Sequence, residues 1–130
     1  MLTSRNFDKY FKAETDLTTY EHCFVTRGTN PGQVKICTTT DRPLGVLMNA
    51  PNVGETALVR LMGFAAVKAQ AAYSYNAMLM VADAYGALAA CTAMNGGTST
   101  TWCVGYAPEA AGAAGNLADV EIHIHRICTA

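Results

Sequence analysis

The stretch from Leu44 to Ala69, LGVLMNAPNVGETALVRLMGFAAVKA, constrains the fold more than any other part of the chain. A short apolar run of Leu44, Val46, Leu47 and Met48 gives way to a turn cluster of Asn49, Ala50, Pro51, Asn52 and Gly54. A period-two run follows, with Ala57, Val59 and Leu61 on one face and Leu58, Arg60 and Met62 on the other. Alternation at that period places side chains on opposite faces of a strand. Gly63 interrupts the run, which resumes as Phe64 to Ala69. Two such segments cover their apolar faces only if further strands close the sheet, so the stretch predicts the spine of a small barrel or sandwich.

The rest of the chain repeats this grammar. Glu21 to Thr26 alternates His22 and Phe24 with Cys23 and Val25, and the turn signal Arg27-Gly28-Thr29-Asn30-Pro31-Gly32 leads into Gln33 to Cys37. Met78 to Ala82 and Ala87 to Cys91 flank Asp83-Ala84-Tyr85-Gly86, a compact hairpin connection. Alanine favours helix across residues 65 to 90, but Asp83, Gly86 and their β-branched and aromatic neighbours punctuate the run at strand spacing. After a polar loop from Thr92 to Thr101, Trp102, Val104 and Tyr106 alternate with Cys103, Gly105 and Ala107, and the small face at Gly105 admits another backbone. Pro108 to Gly115 suits one helical turn, and Asp119 to Arg126 closes the chain as a strand. The sum is about eight or nine short strands, the signature of an all-β sandwich or barrel. That domain is expected over residues 22–130, preceded over 1–21 by an extended N-terminal arm in which 6–13 could instead form a short helix.

At 130 residues the chain is one domain, long enough to bury a core without metals or disulfides. A net charge of −1 and a pI near 6.2 supply no field for drawing in phosphates, which argues against nucleic-acid binding. Five cysteines, Cys23, Cys37, Cys91, Cys103 and Cys128, include no CxxC pair and read as small buried hydrophobes of a protein made in a reducing cytoplasm. The amino terminus lacks a signal-peptide core and no run suits a membrane helix, so a soluble product with no membrane partner is expected. Charge is unevenly spread. Residues 1–21 carry seven of the nineteen charged side chains, whereas residues 61–118 carry only Lys68, Asp83 and Glu109. A deficit of that length points to a surface covered by sister copies.

Three places could carry chemistry or binding. Glu121, His123 and His125 project from one face of a strand about 6 to 7 Å apart, a plausible zinc or iron set that His22 could complete from another strand. A polar outer strand face gives the same pattern. Trp102 and Tyr106, or Trp102 with Tyr73 and Tyr75, could stack a sugar, although a lone Trp on an alternating strand is commonly core. No cysteine or serine has a nucleophile's surroundings, and Asn95-Gly96-Gly97-Thr98 lacks the lysine and helix of a phosphate loop. Nothing gives positive support to an enzyme, and no catalytic, metal or cofactor site is expected.

From Gly32 onward the pieces fall in a familiar order. They run Gly32-Gln33-Val34, Leu44-Gly45-Val46, Gly54-Glu55-Thr56-Ala57-Leu58-Val59 and Gly63-Phe64-Ala65-Ala66-Val67-Lys68-Ala69, then Met80-Val81-Ala82-Asp83-Ala84-Tyr85-Gly86, Val104-Gly105-Tyr106-Ala107, Ala114-Gly115 and Val120-Glu121-Ile122. Over roughly residues 28–127 this order resembles the small capsid decoration, or head cement, proteins of tailed bacteriophages. The resemblance implies a β-rich structural virion protein on the capsid exterior, commonly a homotrimer, that stabilises the head by bridging major capsid protein subunits. It carries no catalytic residues over. The aromatic and charged arm supplies the expected capsid contacts, Arg5, Phe7, Tyr10 and Phe11. A metal-dependent β-barrel enzyme and a carbohydrate-binding β module remain the alternatives.

Overall fold

The chain is built around one long strand shared by two sheets. The structure, a computed structural model, describes residues 6–82, 88–90 and 102–126. Nine strands run through them: β1 (Phe7–Ala13), β2 (Phe24–Arg27), β3 (Gln33–Ile36), β4 (Gly45–Leu47), β5 (Thr56–Lys68), β6 (Met78–Val81), β7 (Leu88–Ala90), β8 (Trp102–Tyr106) and β9 (Leu117–Arg126). The order β1-β3-β2-β4-β5 returns to its start because β1 also pairs with β5, which closes a five-stranded barrel. Beyond the barrel the second half of β5 pairs with β9, and the sheet continues through β8 and β6 to β7. The fold is all-β, as the alternation predicts. Among the described residues no helix is long and apolar enough to cross a membrane.

Gly63 is where β5 changes sheets. Met62 makes the last barrel pair, with Phe7, and Gly63 makes the first pair of the second sheet, with Ile122. Its φ of 103° lies where a residue with a Cβ is strained. The glycine therefore bends a continuous strand and does not end it.

Two apolar clusters divide along the same line. Phe11, Ala13, Leu17, Val25, Val34, Leu47, Ala57 and Val59 fill the barrel, whereas Phe24, Val46, Ala65, Val67, Leu79, Val104 and Val120 fill the space under the second sheet. Neighbours in sequence thus enter opposite cores, Phe24 and Val25 on β2 and Val46 and Leu47 on β4. These strands form a wall buried on both faces, which is why they show apolar runs where a half-exposed strand would alternate.

Three local expectations are corrected. Residues 6–13 form no helical turn, since 7–13 are barrel strand β1, parallel to β3 and antiparallel to β5. Nor does the rest of 1–21 project as an arm where it is described. The Glu14 N–H donates to the Val34 carbonyl, the Leu17 N–H to the Pro51 carbonyl, and Leu17 is fully buried. The helical turn expected over 108–115 is replaced by an isolated bridge between Ala111 and Tyr73. The hairpin connection at 83–86 and the polar loop at 92–101 lie outside the described residues, although β6 and β7 pair antiparallel on either side of the former.

Gly105 lets β8 and β9 meet. A Cβ built on it would fall on the Glu121 carbonyl oxygen, beside an irregularity in the ladder between Cys103 and Gly105. Because the obstacle is backbone, Gly105→Ala is expected to destabilise the fold by roughly 2–4 kcal/mol. Urea unfolding should show a lower midpoint at unchanged slope, and an unaltered midpoint would contradict the packing described.

Candidate interaction surface

The outer face of the β1–β5 pair carries an apolar ladder. Its rungs are Tyr10 with Leu58, Asp8 with Arg60 and Phe7 with Met62, and Phe64 follows further along β5. Inward positions of the same strands feed the barrel, and among the described residues several outward side chains are left exposed. Tyr10 is 70% exposed, Met62 63%, Phe7 55% and Phe64 40%. These are four of the seven large exposed apolar residues among those described, which marks a patch and not scattered surface hydrophobes. Aromatic residues, Met and Arg are the types enriched at the centres of protein interfaces.

One ion pair sits within the ladder. Arg60 donates from Nε to Asp8 Oδ1 at 2.8 Å and from Nη2 to Asp8 Oδ2 at 3.1 Å, and its Nη1 reaches the Phe64 carbonyl oxygen at 3.0 Å. The guanidinium fork thus ties β1 to β5 across a register shift between Phe7 and Asp8. Hydrogen bonds from Arg60, with its charge, hold the Asp8 carboxyl below its ordinary pKa. The Phe64 N–H donates to Asn6 Oδ1 at 3.1 Å, fastening the start of β1 to the bend. With Asp8 and Arg60 neutralising each other, the face offers apolar area beside an exposed cation, Lys12, which pairs with Thr56.

The structure treats the expected contact residues differently. Phe7 and Tyr10 stand on the exposed face, whereas Phe11, at 8% exposure, packs in the barrel core and is unable to meet a partner. Alternation along β1 separates Phe11 from Tyr10, and Arg5 lies outside the described residues. Met62 and Phe64 complete the patch although the sequence did not single them out. Their signal was the outward phase shared with Arg60.

The other candidates assemble less. His123 and His125 on β9 meet edge to face with centroids 5.1 Å apart, and Tyr106 lies 6.1 and 6.5 Å from them. Glu121 pairs in register with Tyr106. Among the described residues no three His, Cys, Asp or Glu side chains converge as a metal set. His22 does not join them: its Nε2 lies 3.7 Å from Glu21, and its buried Nδ1 has no hydrogen-bond partner. The proposed sugar platform also separates: Tyr73 is buried with its hydroxyl unpartnered, while Tyr75 is exposed. Desolvation, with the nearby Glu109 charge, raises the Tyr73 pKa. Cys23, Cys37 and Cys103 are buried, and burial together with Asp41 pushes the Cys37 thiol up to about 12, far from a nucleophile's range. Cys91 and Cys128 lie outside the described residues.

No protein-family model matches the chain, and no curated protein matches it. Among solved structures it is similar to the N base of head fiber gp8.5 of bacteriophage phi29, with a TM-score of 0.66 and 16% sequence identity, over 92% of this chain and 95% of that one. At that identity the likeness is one of fold.

The Asp8–Arg60 pair has a testable pH signature. Because the native carboxyl pKa is depressed, the unfolded chain binds more protons in acid, and the stabilisation is present above the unfolded value of about 4. It is lost as pH falls through the native value. Asp8→Asn is therefore expected to cost roughly 1 kcal/mol near neutrality and to flatten the acid limb of stability against pH. Parallel acid limbs for the two proteins would contradict this.

Proposed function

We propose that the chain is a structural protein of a bacteriophage head, which binds the outer surface of the capsid and stabilises it by bridging major capsid protein subunits. The observation that carries this reading is the exposed ladder of Phe7, Tyr10, Met62 and Phe64 on a closed barrel. A monomeric protein has little reason to leave such a patch to water. The fold is shared with a part of a phage head fiber, and the order of glycines and alternating segments resembles head cement proteins. In this reading the β1–β5 face, Met62 and Phe64 included, meets the shell. The charge-poor stretch beyond Phe64 meets sister copies, most simply in a homotrimer.

Such a protein acts without turnover, cofactor or nucleic acid. It binds the assembled shell and not free subunits, so occupancy shifts assembly by mass action. Each bridged subunit pair then raises the effective concentration of the next contact.

Co-sedimentation with heads stripped of the chain tests the reading. Phe7→Ser combined with Met62→Ser removes two exposed apolar anchors without touching either core and is expected to weaken occupancy at least tenfold. Tyr75→Ser, off the ladder, should leave occupancy unchanged. Equal binding by the wild type and the double variant would remove this face from the account, and failure of the wild type to bind would remove the function. Sedimentation equilibrium should return a trimer mass.

A further inference from the structure

A second feature lies away from the ladder. A cleft of about 250 Å³ opens between the barrel and the second sheet, lined by Thr26, Arg27, Arg42, Pro43, Leu44 and Ile124. Thr26 and Arg27 come from the end of β2, Arg42 to Leu44 from the segment before β4, and Ile124 from β9. The two sheets therefore build the cleft jointly.

Its chemistry is specific. Among the described residues Asp8 pairs with Arg60 and Glu21 lies beside His22, so neither Arg27 nor Arg42 has a carboxylate partner there. The Arg42 guanidinium is laid over the Trp102 ring, 5.4 Å from its centroid, which orients the fork before any ligand arrives. The Thr26 hydroxyl donates to the Arg42 carbonyl at 2.7 Å. That bond steadies the segment carrying Arg42 and leaves the hydroxyl oxygen with acceptor capacity only. Pro43, Leu44 and Ile124 supply an apolar wall.

Each element selects a part of the ligand. Two arginines in the lining, neither with a carboxylate partner among the described residues, call for a carboxylate. An acceptor beside them calls for a hydroxyl donor, and the wall calls for an apolar ring face. The volume, below the range of drug-sized pockets, suits one ring. An aspartate or glutamate side chain offers the carboxylate without the hydroxyls, and a neutral sugar offers the reverse. We propose that this cleft binds an acidic saccharide unit, a sugar ring bearing a carboxylate. The inference is independent of what the β1–β5 face meets.

Trp102 is the only tryptophan of the chain, so its emission reports on this site. Titrating the full chain with glucuronate should give a saturable fluorescence change that glucose, acetate and the peptide Gly-Glu-Gly do not reproduce. Arg42→Met should weaken binding tenfold or more. Arg27→Met, which leaves the Arg42–Trp102 contact in place, should do the same when followed by calorimetry. No saturable response at millimolar glucuronate would overturn the proposal. So would equal binding of acetate or the peptide, or affinity undiminished in both variants.

Discussion

The hydrogen-bonded continuity of β5 is the constraint on which the rest of the structure depends. One half of the strand closes the barrel against β1 and β4, and the other opens the second sheet through β9. Its inward side chains follow the same phase throughout, Ala57 and Val59 into the barrel and Ala65 and Val67 beneath the second sheet. A single strand therefore sets the register of both halves. A slip by one residue would expose both sets at once, so the register is strongly specified.

From this follows the division of surfaces. The barrel closes where β1 meets β3 at Lys12 and Ala13, and the outward face of β1 and β5 presents exposed side chains. The ion pair of Arg60 with Asp8 ties the two strands together beside the register shift at Phe7. The cleft draws its lining from both sheets, with Arg27 and Arg42 among the lining residues. The ladder stands on strands whose inner faces are packed, whereas the cleft draws half its lining from the segment 42–44 before β4.

Much of this architecture was legible in the chain. The alternation of Ala57, Val59 and Leu61, the glycine at 63 and the small face at Gly105 identify strands, a break and a close approach without reference to any coordinates. β1 was not legible, because its inward side presents only Phe11 and Ala13 among Asp8, Lys9 and Lys12, and its partners β3 and β5 lie far along the chain. Aromatic residues in that charged segment were visible as contacts. Only the strand phase, which required knowing that β1 is a strand, separates exposed Tyr10 from buried Phe11. The same ignorance hid Met62 and Phe64, whose outward phase acquires meaning beside Phe7. The cleft was invisible in the sequence, since its lining comes from three separated segments.

The central claim is that a closed barrel presents its β1–β5 face to a capsid shell. Cryo-electron microscopy of a virion that encodes the chain tests it most directly. The account predicts density for the five-stranded barrel on the outside of the head, with Phe7, Tyr10, Met62 and Phe64 against the shell and more than one capsid subunit in contact. A head without that density, or a barrel seated with this face turned to solvent, would contradict it.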